Sequence, residues 1–192
     1  MVLADDLAEK GWAVADDFFS ARFLQKLLQE ETSLFNNGKF TQAGVGKGSE
    51  HKVVREIRSD HVHWLDEENL SELQQNFWKR MEELKLFLNR EFFLGLNEME
   101  FHFAVYPEGS FYKKHVDRFQ SDKGRAISCL LYLNKNWNEI DGGQLRIYSD
   151  EINFTDISPV FGRFVCFKSD EIEHEVLPTT KVRYSITGWM KN

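Results

Sequence analysis

The chain has 192 residues, of which 42% are hydrophobic and only three are proline. This length and composition predict one globular domain over residues 1–192, with a core of useful size. The net charge of −7 provides no general attraction for a phosphate backbone, so we expect no nucleic-acid partner. No stretch reaches the roughly 18 apolar residues that a membrane span needs, so we expect no membrane partner.

The N-terminal stretch MVLADDLAEKGW lacks the basic region and apolar run of a secretory signal, which predicts a cytoplasmic protein. The chain has two cysteines, Cys129 and Cys166, and both lie in apolar, strand-like runs. We therefore expect buried free thiols in a reducing compartment rather than a disulfide framework. The sequence gives no indication of an oligomeric state.

The first half of the chain predicts a helical support over about residues 1–95. Ser20 is a suitable N-cap for a helix with apolar residues mainly on one face, and Gly38 is a suitable stop. A second helix is predicted from Asn69 to Phe92, because its apolar residues recur at spacings of three and four. Between the helices, residues 38–52 are rich in glycine and predict a long mobile loop.

From about residue 96 onwards, the pattern predicts strands. EFHFAVYP alternates between two faces, with Phe101, Phe103 and Val105 on one and His102, Ala104 and Tyr106 on the other. Further segments rich in branched and aromatic residues follow, separated by turn residues: RAISCLLYLN, GGQLRIY, GRFVCFKS, EHEVLP and VRYSITGWM. Helices followed by many strands predict a mainly β (α+β) fold, an antiparallel sandwich or jelly roll (double-stranded β-helix) buttressed by the N-terminal helices.

Three side chains in this strand-rich half are candidate metal ligands. In the extended segment KKHVDRF, His115 and Asp117 are two residues apart, and residues i and i+2 of a strand point to the same face. His174 lies 57 positions beyond Asp117 (174 minus 117), in another strand-like run. The pair alone is more typical of a solvated strand face followed by a turn, and zinc hydrolases also use two histidines and one carboxylate.

Arg183 follows His174 by nine residues (183 minus 174). A hairpin at residues 178–180 is predicted to set its strand beside the strand of His174, which would turn a cation toward the metal. A guanidinium suits a carboxylate. Thr187 shares the strand face of Arg183, and Tyr132 is a candidate phenol donor on another strand. Together these groups predict a pocket for a small dicarboxylate.

The order HVD, GGQLRIY and HEVLPTTKVRYSITGW resembles the iron(II) and 2-oxoglutarate-dependent dioxygenases of the prolyl 4-hydroxylase superfamily. The segments YPEGSFYKKHVD, ISCLLYLNKNW, DGGQLRIY and IRSDHVHWL are similar to those of the intracellular, hypoxia-sensing type of prolyl hydroxylase in particular. The similarity extends from about Trp12 to Trp189. It implies a jelly-roll enzyme that uses iron(II), 2-oxoglutarate and oxygen as cosubstrate, with ascorbate as a reductant.

The resemblance also assigns roles to individual residues. It implies that His115, Asp117 and His174 are the iron ligands, which leaves three coordination positions open. It implies that Arg183 pairs with the distal carboxylate of 2-oxoglutarate and that Tyr132 donates a hydrogen bond to the same group. Thr187 and Tyr106 are expected to be neighbours in that pocket.

For the substrate, the resemblance favours a prolyl residue in a protein or peptide, hydroxylated at ring carbon four. Residues 38–52 fall where relatives carry a loop that closes over the substrate. Arg125, Arg118 and Trp189 are candidate substrate contacts near the pocket entrance.

Several alternatives remain open. Hydroxylation of a free amino acid or another small molecule would use the same cofactors, and a jelly roll without catalytic activity would serve only for binding. The other histidines, which lack a downstream partner with an attached cation, are expected to lie at the surface or in packing positions: His51, His61, His63 and His102.

Overall fold

The computed structural model describes residues 2–44, 54, 56–117 and 124–192. The helices in these ranges are α1 (Val2–Lys10), α2 (Ala21–Asn36) and α3 (Glu72–Phe92). The strands are β1 (Trp12–Ala15), β2 (Thr41–Gln42), β3 (His61–Trp64), β4 (Glu98–Tyr106), β5 (Tyr112–His115), β6 (Arg125–Tyr132), β7 (Leu145–Tyr148), β8 (Phe154–Ile157), β9 (Phe164–Lys168), β10 (His174–Val176) and β11 (Arg183–Lys191). Among the described helices, none has the length and apolar character that crossing a membrane requires.

Two antiparallel sheets form the framework. The large sheet has the order β1-β9-β6-β11-β4-β3-β2, and the small sheet has the order β5-β10-β7-β8. A buried apolar cluster joins them, because Leu130 and Val165 of the large sheet belong to the same cluster as Leu145 and Ile147 of the small sheet. The two sheets therefore face each other, which is the arrangement that the strand-rich half predicts.

The helices cover the opposite face of the large sheet. Phe101 and Phe103 of β4 point to this side and share a core cluster with Leu27 of α2 and Met81 of α3. Since β4 alternates, its other face carries His102, Ala104 and Tyr106 toward the small sheet. The large sheet thus has a helix-covered face and a face that lines the space between the sheets.

The helix caps agree closely with the sequence. Ser20 caps α2, and its side chain accepts a hydrogen bond from the backbone N–H of Phe23. The predicted start of α3 at Asn69 is three residues early, because Ser71 forms a capping box with Gln74 and the preceding turn, Glu67–Asn69, is a 3-10 helix. Both helices thus begin where a serine side chain satisfies a free backbone N–H.

The first half of the chain is less purely helical than predicted. Besides the helices it contributes β1, β2 and β3 to the large sheet, where β1 pairs with β9 and β3 pairs with β4. Part of the predicted mobile loop is also a strand, since Thr41 pairs with Val62. The rest of that predicted loop, from residue 45 to residue 52, lies outside the described residues.

The predicted hairpin between His174 and Arg183 is wrong. Strand β10, which carries His174, is bonded on both edges, to β5 and β7 of the small sheet, so no edge remains for β11. Strand β11 instead runs between β4 and β6 of the large sheet. The chain crosses from one sheet to the other after Val176, and Arg183 reaches the site from the facing sheet.

Candidate functional site

The candidate metal ligands converge at the edge of the small sheet. His115 ends β5 and His174 begins β10, and the two are register partners. The sequence predicted Asp117 in the same strand as His115. In the structure, Asp117 instead lies in a bend two residues beyond His115. One ligand atom from each of the three side chains lies within 4.8 Å of the others. Two imidazoles and one carboxylate in this arrangement fit an iron(II) ion with open coordination positions.

Backbone carbonyls orient both imidazole rings. Nδ1 of His115 lies 2.6 Å from the carbonyl oxygen of Lys113, and Nδ1 of His174 lies 3.0 Å from that of Ile172. These contacts suit a protonated Nδ1, which leaves Nε2 of each ring as the metal-facing atom. The Nε2 atoms lie 3.5 and 3.7 Å from the carboxylate oxygens of Asp117.

The protonation states also suit a metal site. Burial lowers the pKa of His174 to about 4, against the opposing charge of Asp117, so its imidazole is neutral at neutral pH. Burial alone would raise the pKa of Asp117, but the neighbouring imidazoles of His174 and His115 and the hydrogen bond from Ser128 hold it well below its usual range. A neutral imidazole and an ionised carboxylate are the forms that bind a metal.

The Asp117 carboxylate is fixed by a short chain of hydroxyl groups on the large sheet. The hydroxyl of Ser128 donates to Oδ2 of Asp117 at 2.6 Å, and the hydroxyl of Ser169 lies 2.8 Å from that of Ser128. Since the Ser128 proton is used toward the carboxylate, Ser169 is the donor in the second bond. Both serines are fully buried, and neither was singled out in the sequence.

Arg183 lies in the interior, with only 1% of its surface exposed. Its Nε donates to the carbonyl oxygen of Gly143 at 3.0 Å, and its Nη1 lies 3.4 Å from the hydroxyl of Ser185. The guanidinium carbon lies 4.8 Å from the ring centre of Tyr106 and 4.9 Å from that of Tyr132. Among the described residues, Nη2 of Arg183 and the hydroxyl of Tyr132 have no hydrogen-bond partner.

This environment fits the carboxylate of a ligand. Buried polar groups are nearly always hydrogen-bonded, and an unpaired buried charge is costly. In the described part of the chain, no carboxylate forms an ion pair with Arg183. An anionic group between Nη2 of Arg183 and the Tyr132 hydroxyl would satisfy both. The predicted neighbour Thr187 lies on the same strand face as Arg183 and pairs with Leu130 and His102.

The turn Asp141-Gly142-Gly143 shapes the floor of this pocket. Gly142 and Gly143 have φ values of 70° and 66°, and a Cβ on Gly142 would lie 2.2 Å from the carbonyl oxygen of Pro178. A Cβ on Gly143 would lie 3.1 Å from Cδ of Arg183. Only glycine fits both the backbone conformation and the close approach, so this turn holds Arg183 at the position from which it contacts the carbonyl of Gly143.

Arg58, Asp60 and Tyr112 form a second supporting group that the sequence analysis did not identify, and Tyr112 packs against the His115 ring. Arg58 forms a two-point ion pair with the buried Asp60, at 2.8 and 2.6 Å, and its guanidinium lies 4.4 Å from the ring centre of Tyr112. That ring in turn stacks on His115 with centroids 3.6 Å apart. The segment IRSDHVHWL therefore contains a support for a candidate iron ligand, a role that only the tertiary structure reveals.

The candidate substrate contacts lie at the other end of the same sheet face. The Arg125 guanidinium lies 3.4 Å from the ring centre of Trp189 and donates twice to Oε1 of Glu100, at 2.9 and 3.0 Å. Trp64 lies beside Trp189, with ring centroids 6.3 Å apart, and half of its surface is exposed. The other candidate, Arg118, lies outside the described residues.

Comparison with known proteins agrees with this geometry. The family model described as the 2OG-Fe(II) oxygenase superfamily matches residues 101–191. A solved prolyl-4-hydroxylase of Pseudomonas putida is 38% identical, with a TM-score of 0.89 over 99% of this chain and 97% of that chain. The chain belongs to the 2OG-Fe(II) oxygenase superfamily. The match to the solved enzyme also confirms the jelly-roll fold.

Two further relatives match over most of this chain. Egl nine homolog 1 of Homo sapiens is 34% identical over 93% of this chain and 43% of that protein, so the chain spans less than half of its relative's length. A prolyl hydroxylase solved in complex with a hypoxia inducible factor oxygen degradation domain peptide fragment from Trichoplax adhaerens is 28% identical, with a TM-score of 0.89 over 99% of this chain and 87% of that chain. The superfamily uses iron(II), 2-oxoglutarate and oxygen, which confirms the predicted cofactors.

Proposed function

We propose that this 2OG-Fe(II) oxygenase hydroxylates a prolyl residue of a protein or peptide, with release of succinate and carbon dioxide. The observation that carries the proposal is the joint presence of the His115, Asp117 and His174 group and a buried Arg183 with an unpartnered Nη2. The first fits iron(II) and the second fits the distal carboxylate of 2-oxoglutarate. The similarity to solved prolyl hydroxylases supports proline as the target.

The residues of the site divide the work between binding, orientation and exclusion of water. In this proposal, Arg183 and Tyr132 bind the distal carboxylate, while the rings of Tyr106 and Tyr132 flank the guanidinium and keep water from it. Ser128 fixes the Asp117 carboxylate, and the backbone carbonyls of Lys113 and Ile172 fix the two imidazoles. Iron(II), 2-oxoglutarate and oxygen, when bound, supply the oxidation that converts a C–H bond of the substrate into C–OH.

We also propose that residues 1–192 form one domain. The large sheet is assembled from both halves of the chain, since β1 pairs with β9 and β3 pairs with β4. The helices α2 and α3 bury their apolar faces on the same sheet. The proposed use of ascorbate as a reductant and the cytoplasmic location rest on the sequence resemblance and composition described above.

Peptide hydroxylation tests the substrate class directly. The protein is incubated with iron(II), 2-oxoglutarate, oxygen and a pool of short synthetic peptides, each with one central proline. We expect succinate release and the gain of one oxygen atom on the proline, both read by mass spectrometry. The same pool with alanine in place of proline, and the Asp117→Ala variant, provide the controls.

Free L-proline is assayed in parallel, because hydroxylation of a free amino acid is the alternative. Oxidation of free proline without oxidation of any peptide would replace the proposed substrate class with the small-molecule one. Equal oxidation of the proline and alanine pools would show that the enzyme acts on peptides but does not select proline.

A further inference from the structure

His102 is buried, one of the two positions expected for it, on the face of β4 that is turned toward the small sheet, where it forms a wall with Trp64 and Trp189. On β4 it pairs with Trp64 of β3 and Thr187 of β11. Its side chain shares a strand face with that of Tyr106, which lies four residues further along. The residue is 2% exposed, and its imidazole forms a three-ring cluster with two indoles, with ring centroids 4.7 Å from Trp64 and 5.5 Å from Trp189.

The polar atoms of this wall are left unpaired. Nδ1 of His102 and Nε1 of Trp189 are buried, and neither has a hydrogen-bond partner among the described residues. Burial lowers the pKa of His102 to about 3, and the charges of Arg58 and Arg125 act in the same direction. The imidazole is therefore neutral at neutral pH, with one N–H donor and one acceptor nitrogen.

The charges near this wall already have partners. Arg125, which stacks on Trp189, is paired with Glu100, and Lys191 lies 3.0 Å from the same carboxylate. His102 is also not among the side chains that converge as candidate metal ligands. Within the part of the chain that the structure describes, Nδ1 of a neutral imidazole and an indole N–H are left without a partner, a set that suits the neutral amide groups of a peptide better than an anion or a metal ion.

We propose that His102 is a substrate-binding residue, which forms a hydrogen bond to the backbone of the polypeptide next to the target residue. This inference rests on the proposed function, because it assigns the unpaired wall to the same substrate. Trp64 and Trp189 supply apolar surface beside the imidazole, and the half-exposed Trp64 connects the wall to solvent. The wall then contributes specificity for a peptide over a free amino acid.

Variants at matched positions separate this role from packing. His102→Leu removes both ring nitrogens and keeps apolar bulk, whereas His102→Asn keeps a polar amide close to the position of Nδ1. His63→Leu is the control, since His63 lies on the neighbouring strand and points to the opposite face, where Nδ1 contacts the carbonyl oxygen of Lys39 at 2.9 Å. Thermal unfolding of each variant establishes that it is folded before binding is measured.

The test is equilibrium binding of the central-proline peptide pool to protein loaded with iron(II) and 2-oxoglutarate without oxygen, so that no turnover occurs. Each peptide is quantified by mass spectrometry, and 2-oxoglutarate affinity is measured separately from the visible absorption of the iron complex. We expect His102→Leu to weaken the best peptides at least about fivefold, the loss of one ordinary hydrogen bond. We expect His102→Asn to recover part of that loss, and His63→Leu to bind as the parent does.

Three results would overturn the inference, and they are distinguishable. If His102→Leu retains the same peptides with the same affinity, His102 is not a substrate contact and the proposed function stands. If 2-oxoglutarate affinity falls in parallel with peptide affinity, the substitution acts on the whole site. If the parent protein itself binds proline and alanine pools equally, the proposed function fails, and the role of His102 fails with it.

Discussion

The two ends of the pocket differ in how their charges are balanced. The inner end, formed by Tyr106, Tyr132 and Arg183, is at most 5% exposed, and its cation has no carboxylate partner in the described chain. At the outer end, formed by Trp64, His102, Arg125 and Trp189, the cation is already paired with Glu100. Within the described chain, the inner end therefore suits an anionic ligand, and the outer end suits neutral hydrogen-bonding groups and apolar surface.

This difference indicates which part of the reaction each end determines. A buried guanidinium with one free N–H selects a carboxylate of defined position, because an unpaired charge in the interior is costly. A wall of indole and imidazole rings accepts many neutral ligands of suitable shape. In the proposed function, the inner end thus specifies the cosubstrate, while the identity of the substrate depends on weaker contacts at the outer end.

Removing a candidate iron ligand has the largest expected effect, because catalysis needs the metal whatever binds at the inner and outer ends of the pocket. Changes in groups that only support metal ligands cost about 10- to 100-fold in affinity, so loss of a ligand costs more. We expect His174→Ala to retain no iron(II) after desalting and to show no absorption band when 2-oxoglutarate is added without oxygen. His63→Ala serves as the control, and a band of normal strength in His174→Ala would remove His174 from the metal site.

The comparison of the two ends is tested most directly by two arginine substitutions. Losing a buried, charged hydrogen bond to a ligand costs on the order of 2 to 5 kcal/mol. We expect Arg183→Ala to weaken 2-oxoglutarate binding well over tenfold, and Arg125→Ala to leave it unchanged, since Glu100 already neutralises Arg125. Calorimetric titration with 2-oxoglutarate distinguishes the two, and equal losses in both variants would contradict the division of the pocket.

The sequence predicted which residues lie close together better than it predicted how their strands pair. The candidate ligands His115, Asp117 and His174 were predicted from spacing and family resemblance, and the structure brings these three side chains together. The hairpin proposed to join His174 and Arg183 was wrong, because both edges of β10 are occupied. Strand alternation gives the face of a residue, but it does not tell which sheet receives the strand.

Supporting residues were the part that the sequence did not reveal. Ser128 lies in an apolar strand and reads as a core position, yet its hydroxyl fixes Asp117. His102 was placed with surface or packing histidines because no partner follows it in the sequence, but its neighbours Trp64 and Trp189 come from other strands. Strand β1 was also missed, and its place in the large sheet is given by its pairing with β9.

A smaller effect is expected from the hydroxyl that supports Asp117. Ser128→Ala leaves the carboxylate buried with one hydrogen bond fewer, which we expect to weaken iron(II) binding about tenfold. The binding of 2-oxoglutarate to iron-saturated protein should change little, because the inner end is intact. Competition with a chelator measures the iron affinity. Ser149→Ala, which removes an exposed hydroxyl, is the control, and equal affinities in the two variants would remove Ser128 from the support of the site.

The smallest expected effect concerns an unpaired group that faces away from the pocket. Glu31 of α2 is fully buried on the same helix face as Leu24 and Leu27, and its carboxyl oxygens have no hydrogen-bond partner among the described residues. Burial raises its pKa well above the usual range, although the charge of Arg183 and the backbone of Ser185 oppose the shift. Burial therefore favours the protonated, neutral carboxyl group of Glu31, whereas the buried guanidinium of Arg183 favours an anionic partner.

The pH dependence of stability follows from the raised pKa of Glu31. The pKa of Glu31 in the unfolded chain is about 4.5, and the folded chain holds this proton more tightly. The free energy of unfolding therefore falls as the pH rises above the unfolded-state pKa and through the folded-state pKa. Glu31→Gln lacks this loss, and we expect it to gain thermal stability relative to the parent between about pH 5 and pH 8. Its 2-oxoglutarate affinity should be unchanged. If the melting temperatures of the parent and of Glu31→Gln change with pH in the same way, burial does not hold the proton on Glu31. A changed 2-oxoglutarate affinity would mean that the inner end extends through the sheet to α2.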